Sequence, residues 1–147
     1  MRLAVGCDHR GLDLKAAAVR LIEEMGHTCH DFGCYSPESV DYPDIAFAVA
    51  RRVAEGQFDR GILVCSTGIG MCITANKVKG VRAAVCADAL AAQRCREHND
   101  CNMLCLGQDM LAGPAALELL SLFLTTAFEG GRHQRRLDKI RAVEEGC

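Results

Sequence analysis

Short apolar runs alternate with stretches of helical periodicity along the whole chain. The first run, residues 3–7, is continuous enough for a buried strand, and apolar residues then recur at helical spacing over 14–25 until Gly26. This alternation predicts strands that are joined by helices. The other predicted strands are residues 28–32, 61–65, 82–87 and 103–106.

The predicted helices have recognisable ends. Asp41 stands in the N-cap position of a helix that carries Pro43 in its first turn and ends at Gly56. Further helices are predicted over residues 69–78, 88–97, from 114 onwards and over 132–145. The periodicity of the last helix predicts that three side chains face the core: Leu137, Ile140 and Val143.

Five strands that alternate with helices predict a mostly parallel sheet with helices on both faces. The predicted fold class is α/β, a three-layer doubly wound (Rossmann-like) sandwich with a five-stranded parallel sheet. No linker or internal repeat divides the chain, so residues 1–147 are predicted to form one domain. Ligands in such folds bind at the carboxyl ends of the strands, which here are residues 7–9, residues 65–70 and Asp88.

Composition argues against several functional classes. With 17 Lys and Arg against 19 Asp and Glu, and 5% aromatic residues, the chain lacks the charge and stacking platforms of a nucleic-acid binder. Gly113, Pro114 and Glu118 interrupt its most apolar window, whereas a membrane span needs about 20 nearly uninterrupted apolar residues. The apolar run near the N-terminus is too short for a signal peptide. We therefore expect a cytoplasmic protein without nucleic-acid or membrane partners.

Ten cysteines are present, but no CxxC spacing occurs. This excludes the usual thioredoxin and paired zinc-ligand motifs, and we expect reduced cysteines that mostly fill the core. Residues 27–34 contain two histidines and two cysteines, but neighbouring side chains of a strand point to opposite faces. We therefore predict no metal site there.

The strongest chemical signal is the segment 65–70, CSTGIG. It places a thiol at the end of a strand, followed by two hydroxyls and two glycines that open a helix. Backbone N–H groups of such a turn can converge on an anion, and the helix dipole adds a positive field. The same field favours a thiolate at Cys65, which could act as a base or nucleophile. The alternative is a buried cysteine before a tight turn.

Two known loop types do not fit this segment. A dinucleotide-binding loop needs glycine or alanine where the chain has Ile73. A cysteine phosphatase loop needs arginine at the position of Met71. The segment therefore matches neither loop type, and the anion-binding turn and the buried cysteine before a tight turn both stay open.

Two further polar pairs lie at the ends of predicted elements. Asp8 and His9 follow the first strand and could transfer hydroxyl protons, although such a pair is more often part of a turn. His98 and Asn99 close the fourth helix, where a histidine also suits the negative end of the helix dipole. Position alone does not separate a functional from a structural His98.

Arg132 and Arg136 stand four positions apart after a pair of glycines, on one face of the last predicted helix. They could clamp a phosphate dianion, or they could form a solvated basic face. Arg132 lies at the helix start, where a cation is unfavourable unless an anion binds. This detail favours the clamp.

Six motifs in order along the chain resemble the type B ribose-5-phosphate isomerases and the related galactose-6-phosphate isomerase subunits. They are residues 6–11 (GCDHRG), 41–43 (DYP), 65–71 (CSTGIGM), 75–77 (ANK), 98–102 (HNDCN) and 129–133 (EGGRH). The resemblance implies an aldose–ketose isomerase that interconverts ribose 5-phosphate and ribulose 5-phosphate through a cis-enediolate, without cofactor or metal. It also implies a homodimer or homotetramer in which His98 and Asn99 complete the neighbour's site.

The resemblance also assigns roles to residues. Cys65 would move the proton between C1 and C2, Asp8 and His98 would assist ring opening and hydroxyl proton transfer, and Thr67 would help to hold the developing oxyanion. The implied substrate-binding residues, which include amide donors and phosphate ligands, are His9, Ser66, Gly68, Ile69, Gly70, Asn99, Arg132 and Arg136.

One position departs from the family pattern. Where many relatives have an arginine that binds phosphate, this chain has Asp109, which would repel a phosphate dianion if it pointed inward. Galactose or allose 6-phosphate therefore stays open as the substrate. So does a non-catalytic phosphosugar-binding subunit, although the retained Cys65, Thr67, Asp8 and His98 argue against it.

Overall fold

The computed structural model describes residues 1–146. Five strands form one sheet in the order β2-β1-β3-β5-β4, and all neighbours are parallel. Their bounds are β1 Arg2–Cys7, β2 Thr28–Asp31, β3 Arg60–Cys65, β4 Ala83–Val85 and β5 Met103–Gly107. Strand β3 therefore lies in the centre, between β1 and β5.

Six helices accompany this sheet. Their bounds are α1 Leu12–Glu24, α2 Tyr42–Ala54, α3 Ile69–Ala75, α4 Ala89–Glu97, α5 Gly113–Thr125 and α6 Arg132–Glu144. Helices α1, α4 and α5 pack on one face of the sheet, and α2 and α3 pack on the other. The predicted three-layer, doubly wound α/β sandwich is confirmed.

Strand β3 shows how the sequence builds two cores. Ile62 and Val64 face the layer of α1, α4 and α5, whereas Leu63 and Cys65 face α2 and α3. These side chains are almost completely buried because both faces of a parallel sheet are covered. The continuous apolar run GILVC is therefore the expected pattern for the central strand.

Some helices and strands are shorter than predicted because a side chain takes the place of a backbone hydrogen-bond partner. Helix α3 ends at Ala75 rather than at residue 78, because the Asn76 amide donates to the Cys72 carbonyl at 3.1 Å. The same side chain also pairs with the backbone of Ala83, donating to its carbonyl and accepting from its N–H. Asn76 thereby occupies the open edge of β4, which spans three residues instead of 82–87. Strand β2 ends at Asp31, one residue early.

Helix α6 departs most from the prediction. Leu137 is buried as predicted, but Ile140 is 50% and Val143 is 73% exposed. The prediction that these two side chains face the core is wrong, because α6 follows α5 past the sheet and covers little of either core. Periodicity identifies an apolar stripe but not what covers it. None of the helices described is long and apolar enough to span a bilayer.

Candidate active site

Three loops meet at the carboxyl ends of β1, β3 and β5. The Asp8 N–H donates to the Val64 carbonyl at 3.1 Å, and the Gln108 N–H donates to the Cys65 carbonyl at 2.9 Å. Gly107 permits this approach, since a Cβ there would lie 2.8 Å from the main chain of Thr67. The loops after the three central strands therefore form one rigid edge.

Cys65 lies at the centre of this edge. Its side chain is 5% exposed, and its Sγ accepts the backbone N–H of Gly68 at a distance of 3.1 Å. Gly68 has a φ of 79°, which turns the chain so that α3 begins at the next residue. An N–H aimed at sulfur stabilises negative charge there. This contact fixes the position of the sulfur at the edge.

Thr67 offers a hydroxyl in the same turn. Its Oγ1 accepts the N–H of Ile69 at 3.3 Å, which leaves the hydroxyl hydrogen free to point to another acceptor. Three amides are predicted to hold an oxyanion. Of these, the Gly68 N–H points to Sγ of Cys65, and the Ile69 N–H points to Oγ1 of Thr67. The Gly70 N–H follows in the first turn of α3, where N–H groups lack intrahelical acceptors.

Tyr42 forms a wall of the site that sequence reasoning did not assign. A Cβ on Gly70 would lie 2.6 Å from ring atoms of Tyr42, so the ring packs directly on that glycine. Tyr42 begins α2 and keeps 40% of its surface exposed. The DYP motif contains this residue, but no spacing rule connects residue 42 with residue 70.

Asp8 and His9 lie beside Cys65 on the β1 loop. Asp8 is 6% exposed, and its Oδ1 accepts the Arg10 N–H at 2.9 Å. The Val40 N–H donates to Nδ1 of His9 at 3.3 Å. The neutral imidazole therefore carries its proton on Nε2, where it can donate to a ligand.

Asp109 does not stand alone at this edge. Its Oδ2 accepts the Ser66 hydroxyl at 2.7 Å and lies 3.0 Å from Nη2 of Arg10. The hydrogen bond from Ser66 and the charge of Arg10 hold the pKa of Asp109 below its usual value. The carboxylate is thus compensated within the chain, and the Ser66 hydroxyl already has an acceptor.

His98 and Asn99 lie at the opposite end of the sheet. Helix α4 runs antiparallel to the strands, so the residues after it precede β5. The Asn99 carbonyl accepts Nε of Arg82 at 2.9 Å, and Asp100 forms ion pairs with Arg82 and Arg96 at 3.0 and 2.9 Å. This network fixes the loop that carries both predicted site residues.

His98 stacks on a histidine from the start of α6. The ring centroids of His98 and His133 are 4.1 Å apart and the ring planes differ by 10°. Oε2 of Glu129 lies 3.2 Å from Nε2 of His133 and 4.0 Å from that of His98. Burial, followed by the nearby His98, lowers the pKa of His133. Arg132 and Arg136 extend into solvent beside this stack.

This second cluster also contains a possible ligand set for a metal. One donor atom each from His98, Glu129 and His133 lies within 4.8 Å of the others. Because the two rings are nearly parallel, their nitrogen lone pairs point side by side rather than toward one centre. A tetrahedral ion would require one ring to rotate.

A single chain therefore carries two groups of predicted site residues. Cys65, Thr67, Asp8 and His9 lie at the carboxyl edge, whereas His98 and the residues around it lie at the amino edge. Strand β5 alone separates the edges by roughly 13 Å, at about 3.3 Å for each residue step. The fold does not bring Cys65 and His98 of the same chain together.

Comparison with known proteins relates this chain to sugar phosphate enzymes. A family described as ribose/galactose isomerase matches residues 3–140. Ribose-5-phosphate isomerase B of Escherichia coli is 43% identical, over 98% of this chain and 97% of that protein. D-erythrulose-4-phosphate isomerase of Pectobacterium atrosepticum is 39% identical, over 98% and 95% of the two chains. The structure of ribose-5-phosphate isomerase B from Clostridium thermocellum superposes with a TM-score of 0.97 at 43% identity, over 99% and 98%.

Proposed function

The chain belongs to the ribose/galactose isomerase family, and we propose that it interconverts ribose 5-phosphate and ribulose 5-phosphate with Cys65 as the base. Membership makes it an isomerase of phosphorylated sugars. The observation that supports the base most directly is the Gly68 N–H, which lies 3.1 Å from Sγ of Cys65. That sulfur shares one edge with Asp8 and Thr67, so a base, a second acid–base group and a donor for the oxyanion lie at the same end of the sheet.

The central step is a proton transfer at carbon. The Cys65 thiolate takes the proton from C2 of the open-chain aldose, and the electron pair of that bond moves to form an enediolate with its charge on O1. Thr67 and the amide of Gly70 provide donors for this oxyanion, which makes the proton more acidic in the transition state. The thiol then returns the proton to C1 and yields the ketose. The O2 proton moves to O1 in the same cycle.

Hydroxyl protons and ring opening need a second acid–base group. Asp8 is buried at the same edge as Cys65 and can exchange the proton of a sugar hydroxyl. His98 cannot reach this edge within its own chain. We therefore place His98 of a second copy over Cys65, with Asn99 binding sugar hydroxyls.

Exposed apolar side chains at both edges support such a dimer. Ile69 and Ile73 of α3 are 53% and 57% exposed beside the Cys65 loop. Ile140 and Val143 of α6 form a second exposed stripe toward the amino edge. In a two-fold symmetric dimer each contact occurs twice, so two composite sites form. His9, Arg132 and Arg136 would bind the phosphate, the two arginines again from the partner copy.

The substrate has to be chosen among phosphorylated sugars of different length. A relative at 39% identity acts on D-erythrulose 4-phosphate, and galactose or allose 6-phosphate needs a longer crevice than ribose 5-phosphate. A non-catalytic binding subunit would not need a buried cysteine sulfur that faces an amide donor. We therefore favour an active enzyme, with the five-carbon phosphate as its substrate.

An assay on the purified protein tests both substrate and base. Ribose, galactose and allose phosphates and D-erythrulose 4-phosphate are compared, with and without a chelator, and ribose 5-phosphate should give the highest kcat/KM. The kcat of Cys65→Ala should be about 10²–10⁴-fold lower than that of the wild type, which is the usual contribution of a positioned base. The chelator should have no effect on the activity.

Cys72 supplies the matched control. It lies on α3, and a hydrogen bond with Cys105 lowers the pKa of its thiol to about 7. Cys72→Ala should therefore keep its activity if position, rather than thiolate character alone, determines the base. Equal rates for Cys65→Ala and wild type would refute the assignment of the base.

A further inference from the structure

An ion pair crosses the mouth of the candidate site. Arg10 follows β1 and Asp109 follows β5, and these strands flank β3 on either side. Nη2 of Arg10 lies 3.0 Å from Oδ2 of Asp109, and the Ser66 hydroxyl donates to that same oxygen at 2.7 Å. The pair therefore spans the turn that follows Cys65.

Arg10 is held in place at both ends of the residue. Its backbone N–H donates to Oδ1 of Asp8 at 2.9 Å, and its guanidinium donates to Asp109. Within residues 1–146, Asp109 is the one hydrogen-bonded partner of this guanidinium, which has five N–H donors. The side chain is 58% exposed, so its remaining donors face the solvent at the mouth.

Arg10 is the one permanent cation among the loops at this edge of the sheet. The three loops, residues 8–11, 66–68 and 108–112, contain two carboxylates, Asp8 and Asp109, and one permanent cation, Arg10. A dianion that approaches the Cys65 edge meets Asp8 and the ion pair of Arg10 with Asp109. Arg10 is therefore the permanent positive group that this copy can add to the two arginines of the partner copy, and a guanidinium can bind phosphate through two parallel N–H donors.

Resting on the proposed function, we infer that Arg10 binds the phosphate group of the substrate at the mouth of the site. Asp109 and Ser66 act as positioning residues, since they hold the guanidinium across the Cys65 turn. Arg10 then determines the preference for phosphorylated over neutral sugars.

Calorimetry with inorganic phosphate and kinetics with ribose 5-phosphate test this inference on the full-length protein. Arg10→Ala should raise both the Kd for phosphate and the KM by about tenfold or more, the usual cost of losing a hydrogen bond to a charged group. Its kcat should change less than its KM. Arg10→Lys keeps the charge but lacks the parallel N–H donors of a guanidinium. Its Kd and KM should lie between those of the wild type and those of Arg10→Ala.

Arg2→Ala is the matched control. Arg2 forms an ion pair with Asp59 of similar length and exposure, 2.9 Å with side chains 56% and 40% exposed, at the start of β1. Arg2→Ala should change neither the Kd for phosphate nor the KM for ribose 5-phosphate. If Arg10→Ala binds phosphate as tightly as Arg2→Ala, the inference is wrong. Phosphate binding does not depend on turnover, so a wild-type protein without isomerase activity would refute the proposed function and leave the test of Arg10 intact.

Discussion

Gly68 determines the geometry on which the proposed chemistry depends, and its replacement by alanine is a quantitative test. Its φ of 79° lies in the left-handed region, and a Cβ there would lie 3.1 Å from the carbonyl carbon of Leu106 and 3.3 Å from that of Cys105. Both contacts are with backbone of the central sheet, which cannot move aside. The substitution therefore adds a conformational and a steric cost.

The two costs can be separated. The left-handed conformation costs alanine about 1–2 kcal/mol relative to glycine. Forcing an extra carbon against a packed interior costs about 1–3 kcal/mol more. Gly68→Ala should therefore lose roughly 2–5 kcal/mol of the free energy of unfolding. Gly26 has the same φ of 79° with no atom within 4 Å of its Cβ position, so Gly26→Ala should show the conformational cost alone.

Urea unfolding at one fixed protein concentration measures both variants, because the stability of an oligomer depends on concentration. The kcat of the surviving folded protein is measured in parallel. Gly68→Ala should lose activity as well as stability, since its N–H would no longer point to Cys65, whereas Gly26→Ala should keep its kcat. Equal stability losses in the two variants, with activity retained in both, would refute this account of the turn.

Two further predictions concern the amino edge. The pKa of His133 is lower in the folded than in the unfolded chain. The unfolded state therefore binds more protons below about pH 6.5. The free energy of unfolding should fall as the pH drops through that value. His133→Asn should show a smaller fall between about pH 7.5 and 5.5; identical slopes in urea titrations would contradict this. Ile140 is 50% exposed in one chain, and we place it in the dimer contact. Ile140→Asp should therefore be a folded monomer in sedimentation equilibrium and should have little isomerase activity. An active monomer would contradict that placement.

The fold was predictable because its signals are local. Apolar runs such as residues 61–65, separated by helical periodicity, predict a parallel sheet, and its carboxyl edge then follows from connectivity. The Cys65 turn was found in the same way, since its thiol, hydroxyls and glycines are adjacent in sequence. Element ends that depend on a side chain, such as Asn76 beside β4, were not predictable.

Contacts between distant segments required the structure. Tyr42 meets Gly70, and Arg10 meets Asp109 across 99 positions, without any periodic signal. The charge at position 109 suggested repulsion of phosphate, whereas the structure pairs it with a cation. The exposed Ile140 shows a related limit, because one chain's periodicity does not reveal whether an apolar stripe faces its own core or another copy.

A site built from two chains makes a quantitative prediction for mixtures of two inactive variants. Cys65→Ala and His98→Asn are refolded together, so that random pairing makes about half of the dimers mixed, each with one intact site. The mixture should recover about a quarter of the wild-type activity per chain. Cys65→Ala mixed with Asp8→Asn should recover none, because both changes lie at the same edge. If the first mixture forms mixed dimers and stays inactive, Cys65 and His98 do not act across two chains.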